Sequence, residues 1–216
     1  MFVRLTGCNL RCTWCDTAYA FHGGKRTTID AICHQVDELA GRADGQHGSQ
    51  APIHLVELTG GEPLLQEGVY ALAQTLLDDG YTVMIETSGE RFIGKLPEHV
   101  IKIVDVKCPG AGSAANTFHL ENLDTLTRND EVKFVISNRE DYDFARDFIR
   151  IHSLNEKAGQ ILLSPAFNKT PSPLRTADNA TLDPRKLVEW MLADGLPARL
   201  SLQIHKFIWE PMKKGV

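Results

Sequence analysis

Three cysteines, Cys8, Cys12 and Cys15, stand at C-x3-C-x2-C spacing in the stretch Gly7–Thr17. No helical or strand period accounts for that density. Three thiolates on one short segment can converge on a single centre, and soft sulfur ligands favour iron–sulfur clusters or zinc. A four-iron cluster ordinarily takes four cysteines. Held by three, it keeps one iron open to a substrate or cofactor. Trp14, before the last cysteine, supplies an aromatic wall at its edge. Zinc would need a fourth ligand, with His22, Cys33 or Cys108 as candidates, and no second C-x2-C pair is present. With 5 cysteines the total is odd, and nothing marks the chain as secreted, so disulfides are a poor reading.

Other groups carry weaker signals. Thr59-Gly60-Gly61-Glu62-Pro63 follows an apolar run. Its glycines are either a plain turn or backbone exposed for close ligand approach, and Glu62 is an acceptor suited to an ammonium. Asp16 and Thr17 either cap a turn or offer oxygen to a hard ion such as magnesium. Lys107 is a solvated lysine or a partner for a carboxylate, and Arg4, facing inward on a strand, would need an anion. His205 is a satisfied histidine or a ligand.

The elements that must position these groups alternate. Apolar periodicity predicts strands over 2–5, 53–58, 81–85, 100–104, 131–136, 161–163 and 200–204. Helices are predicted over 28–40, with Ile29, Ile32, Val36 and Leu39 inward, and over 66–79 and 141–152. A last helix is capped by Asp183 with Pro184 in its first turn. Residues 168–181, rich in Pro, Thr and Asn, read as an irregular excursion. Alternation implies a parallel sheet, and in such folds sites gather at the carboxyl ends of the strands. These strands are too few for a closed eightfold barrel. The expected fold is α/β, a partial open (β/α) barrel in a single domain over residues 1–216.

Composition agrees. The 216 residues are 43% hydrophobic and 24% charged, ordinary for a globular chain. Net charge −5 with no long basic run speaks against direct nucleic-acid binding as the main function. No apolar run reaches membrane-spanning length. Cysteine thiols suggest a reducing, cytoplasmic setting.

The cysteine spacing with an aromatic residue before the last cysteine, followed by Gly-Gly-Glu-Pro, resembles the radical S-adenosylmethionine (SAM) superfamily. Further segments are similar to one family within it, the 7-carboxy-7-deazaguanine synthases of queuosine and deazapurine biosynthesis. They are Phe2–Cys8, Cys15-Asp16-Thr17, Thr59–Leu64, Ile85–Gly89, Asp105–Pro109, Glu131–Phe134, Ser164-Pro165 and Leu200–Lys206. Members carry a further N-terminal stretch with Gln-Gly-Glu that forms part of the substrate pocket. This sequence opens inside the first strand, so a fold shortened at its N-terminus is expected.

The resemblance implies a [4Fe-4S] cluster held by Cys8, Cys12 and Cys15. It implies SAM lined by Trp14, Asp16, Gly61, Glu62, Ser88, Lys107 and Ser164, and Mg2+ on Thr17. Arg4, Thr59, Gln203 and His205 would contact the substrate, 6-carboxy-5,6,7,8-tetrahydropterin. The implied reaction is a radical ring contraction with loss of ammonia, SAM being re-formed. A flavodoxin- or ferredoxin-type electron donor and a homodimer are implied as well. Other readings are a different small radical SAM enzyme, such as a glycyl-radical activase, and a zinc- or cluster-stabilised binding module.

Overall fold

A computed structural model describes residues 1–43, 45–167 and 180–209. Its strands are β1 (Phe2–Leu5), β2 (Leu55–Gly60), β3 (Thr82–Thr87), β4 (Ile101–Asp105), β5 (Glu131–Ile136), β6 (Gln160–Pro165) and β7 (Arg199–Leu200). Its helices are α1 (Ile29–Ala40), α2 (Gly68–Asp78), α3 (Arg139–Ile151), α4 (Leu154–Lys157), α5 (Pro184–Ala193) and α6 (His205–Ile208). The described strands number seven, one for each stretch that apolar periodicity predicted.

The chain divides into two compact units. The first comprises Met1–Leu10, Thr17–Val104 and His119–Thr125, and the second Arg11–Asp16, Asp105–Phe118 and the described residues from Leu126 onward.

In the first unit β1 pairs with β2, and β2 with β3, all parallel. Val56, Leu58, Val83 and Ile85 are fully buried on these strands. Each such side chain contributes about 1.5–3 kcal/mol relative to exposure. Helix α1 starts where the Thr28 hydroxyl accepts from the Ala31 N–H at 3.2 Å. It stops at Gly41, left-handed at φ 69°, whose N–H reaches Asp37 O and Glu38 O. Val36 is buried as expected, together with Cys33 and Ala40, while Leu39, also expected inward, is 70% exposed. Apolar spacing alone admitted both stripes. Packing chose the one that puts small Cys33 and Ala40 inward.

In the second unit β5, β6 and β7 are parallel neighbours. Val132, Phe134, Ile136, Leu163 and Leu187 are fully buried. Helix α3 begins two residues before the expected Asp141. Asn138 is the cap, its side chain accepting from Asp141 N–H at 2.9 Å. Asp183 caps α5 as expected, accepting from Arg185 N–H at 2.8 Å.

The last strand is shorter than predicted. It covers Arg199–Leu200, and Ser201 N–H to Leu163 O at 2.9 Å is the final bond to β6. Beyond it Ile204 N–H turns back on Leu202 O, and Lys206 N–H on Gln203 O, both at 2.9 Å. His205 therefore opens the short helix α6 instead of ending a strand. The expected excursion over 168–181 lies outside the described residues up to 179.

Candidate active site

In the first unit the site is built on the ends of β1, β2 and β3. Gly7 has φ 102° and donates its N–H to Ala20 O at 2.9 Å. Its left-handed backbone brings Cys8 off the end of β1. The β2 turn closes on it: Glu62 N–H donates to Gly7 O at 2.8 Å, and Gly61 N–H to Leu5 O at 3.2 Å. A Cβ on Gly61 would collide with Gly7 O and lie 2.6 Å from Cys8 Cβ. The second glycine is therefore required by the approach of the Cys8 segment.

The Glu62 side chain is 0% exposed. Oε1 accepts from Leu64 N–H at 3.0 Å and from the Thr87 hydroxyl at 2.8 Å, and Oε2 accepts from Ser88 N–H at 2.7 Å. This carboxylate is held by the end of β3, with Thr59, Thr87 and Ser88 buried alongside. Thr17 opens the single turn Ala18–Phe21 without a side-chain capping bond to it. Arg4 is exposed. Its guanidinium lies 6.0 Å from the Phe2 ring and 5.8 Å from the Tyr19 ring, stacking on aromatics instead of facing a core anion.

In the second unit Cys12 and Cys15 share one turn, Cys15 N–H donating to Cys12 O at 3.3 Å. Thr13 N–H bonds Ala111 O at 3.2 Å, docking that turn on the segment after β4. Lys107 Nζ meets Asp105 Oδ2 at 2.6 Å. Asp105 is buried, and its Oδ1 has no hydrogen-bond partner among the described residues. Ser164 is buried at the end of β6.

Asp16, Gln203 and Lys206 come together. Gln203 Nε2 donates to Asp16 Oδ2 at 2.7 Å, and Lys206 Nζ stands 3.4 Å from the same oxygen. The Asp16 side chain is only partly covered, and that partial desolvation by itself would raise its carboxyl. Lys206, the Gln203 hydrogen bond and Lys133 outweigh it and hold the group below the usual carboxylate range. Burial, then Lys206, push His205 below the ordinary imidazole value; Asp16 opposes and Lys133 adds. Sequence reasoning missed Lys206 as a site residue. The pointer was there: a lysine one step past His205 on a segment already singled out.

The donor set fits an iron–sulfur centre better than zinc. All five cysteines are thiols. Cys8, Cys12 and Cys15 are half-buried on irregular backbone, whereas Cys33 and Cys108 are buried. Burial pushes the Cys33 thiol up, and Asp79, Asp37 and Asp30 push further. Burial pushes the Cys108 thiol well up, with Asp141 and Asp105 adding. Without a metal both thiols hold their protons more tightly than an exposed cysteine does. Among the described residues, no group of three or more His, Cys, Asp or Glu side chains already stands as a metal cage.

The model of the radical SAM superfamily matches residues 2–151 of this chain. A curated relative, the 7-carboxy-7-deazaguanine synthase of Koribacter versatilis, is 50% identical over 217 residues, covering 100% of this chain and 91% of the relative. This chain belongs to the 7-carboxy-7-deazaguanine synthase family. The Chlorobaculum tepidum 7-carboxy-7-deazaguanine synthase is 37% identical over 223 residues, covering 100% of this chain and 87% of its own. Among solved structures, Streptococcus suis SuiB bound to the precursor peptide SuiA superposes with TM-score 0.64 at 10% identity. That match covers 94% of this chain and 48% of SuiB, so this chain spans about half of SuiB's length and shares its fold.

As a radical SAM enzyme, the chain uses a four-iron cluster and SAM as its core cofactors. Among the described residues no helix is long and apolar enough to cross a membrane.

Proposed function

We propose that this chain converts 6-carboxy-5,6,7,8-tetrahydropterin to 7-carboxy-7-deazaguanine with loss of ammonia. The observation that carries the reading is the 50% identity to the Koribacter enzyme across the whole chain. The continuous match also speaks against a glycyl-radical activase and against a zinc-stabilised binding module.

In this reading Cys8, Cys12 and Cys15 supply the three thiolates of the cluster. Bound together, cluster and SAM supply one-electron cleavage and a carbon radical able to abstract hydrogen from the substrate. The protein's own residues bind, orient and exclude water. Trp14, Asp16, Gly61, Glu62, Ser88, Lys107 and Ser164 line the SAM site. The buried, triply hydrogen-bonded Glu62 fixes the β2 turn beside Cys8, so SAM meets a rigid wall. Lys107, held by Asp105, presents an ammonium suited to a carboxylate.

Arg4, Thr59, Gln203 and His205 contact the substrate. The depressed pKa of His205 keeps it neutral near pH 7, able both to donate and to accept toward a pterin edge. The Thr17 hydroxyl ligates Mg2+ together with the substrate carboxylate, a weak site completed by substrate. The enzyme works in the cytoplasm as a homodimer, reduced by a flavodoxin- or ferredoxin-type donor.

The deciding experiment is mass analysis of the product made from SAM, dithionite and the tetrahydropterin by reconstituted enzyme. The mass of 7-carboxy-7-deazaguanine, with SAM not consumed, is expected. SAM cleavage with the tetrahydropterin untouched would remove the reading.

A further inference from the structure

Lys206 is 6% exposed, one of the few buried cations among the described residues. Its ammonium lies 4.5 Å from the Phe167 ring centroid and 3.4 Å from Asp16 Oδ2. A desolvated ammonium over an aromatic face is attracted by the ring quadrupole. The charge is balanced by the Asp16 carboxylate, which belongs to the residue directly after Cys15. The Asp16 side chain is 42% exposed. Water therefore competes for that carboxylate, and its orientation depends on what holds it from the protein side. Two donors do so on the same oxygen: the Gln203 amide at 2.7 Å and the Lys206 ammonium. Both come from one turn, closed by Lys206 N–H on Gln203 O at 2.9 Å. The turn and the carboxylate thus fix each other.

We propose that Lys206 is a positioning residue: it locks the Asp16 carboxylate and, through it, the Gln203 amide, so that the SAM-side and substrate-side contacts are set as one unit. The inference rests on the functional reading above for the roles of Asp16 and Gln203. Lys206 acts through Asp16, and the seat of its ammonium over the Phe167 ring keeps it from following the carboxylate into solvent.

The test uses cluster-loaded enzyme with Lys206→Met, Lys206→Arg, Asp16→Asn and the double variant Asp16→Asn/Lys206→Met. Equilibrium dialysis gives the SAM dissociation constant, and steady-state rates give KM and kcat for the tetrahydropterin. Lys206→Met is expected to weaken SAM binding and raise KM by about tenfold each, the scale of one charge-assisted contact. Lys206→Arg should recover most of both. In the Asp16→Asn background, Lys206→Met should add less than about twofold, because the two residues act through one contact. Unchanged SAM affinity and KM with only a lower melting temperature would make Lys206 a structural pin and overturn the proposal. Fully additive effects of the two substitutions would overturn it as well. If the parent enzyme leaves the tetrahydropterin untouched, the functional reading falls, and the SAM constants across the same four variants still decide the role of Lys206.

Discussion

The Thr87 hydroxyl donates to Glu62 Oε1 at 2.8 Å, so the last residue of β3 holds the carboxylate that follows β2. Ser88 N–H, one residue on, takes the other oxygen at 2.7 Å. An amide cannot satisfy this arrangement. In Glu62→Gln the NH2 group must face either Ser88 N–H or the donors from Leu64 and Thr87. The expected loss is about 2–3 kcal/mol, read by denaturant unfolding. Thr87→Val keeps the carboxylate and two of its donors, and should cost about 1–2 kcal/mol. Equal stability of Glu62→Gln and the parent would show that the carboxylate is not buried in this way.

The cysteines separate by environment. Cys8→Ala, Cys12→Ala and Cys15→Ala should each abolish cluster assembly and SAM cleavage. Cys33→Ala and Cys108→Ala, altering buried thiols, should retain both. Iron and sulfide analysis after anaerobic reconstitution checks this, and a full complement in Cys12→Ala would exclude that residue as a ligand.

Two glycines make opposite predictions. Gly61→Ala drives a methyl into Gly7 O and should displace the Cys8 segment, lowering cluster content. At Gly68, which starts α2, an added methyl would meet nothing within 4 Å. Gly68→Ala should stabilise by about 0.4–1 kcal/mol by restricting the unfolded chain. Paired thermal melts and iron contents measure both. Normal iron in Gly61→Ala would show that the β2 turn tolerates a side chain.

Tyr81 gives a pH signature. Its hydroxyl donates to Asp37 Oδ1 at 2.6 Å. Burial, then the Asp37 hydrogen bond and charge, push the phenol up to about 12. The folded value lies above the unfolded one, near 10. The contribution to stability is therefore complete below pH 10 and is lost as pH rises through 10 to about 12. The stability gap between the parent and Tyr81→Phe should stay constant below pH 10 and narrow above it. Unfolding curves from about pH 8 to about pH 11.5 follow the effect, and a gap that widens above pH 10 would reverse the assigned sign.

Much of the site was legible because its parts are close in sequence or tied to strand ends. The spacing of Cys8, Cys12 and Cys15 is a property of one short segment, and it named the donor chemistry unaided. Alternating strands and helices implied the parallel order, and with it the strand ends that carry Thr59–Glu62, Thr87–Gly89, Asp105–Lys107 and Ser164. Side-chain partners were not legible. Asp16 and Gln203 are 187 positions apart, and no local pattern couples them. The same holds for Lys206, whose burial depends on Phe167 and Asp16 arriving from other elements. The inner face of α1 and the early end of β7 belong to this class too. Periodicity marks which residues are apolar, but only packing decides which apolar stripe faces inward, and a strand lasts only while its neighbour offers the next backbone partner. Residue type and spacing thus determined the chemistry this chain can hold, and the tertiary structure decided which carboxylate, amide and ammonium meet to hold it.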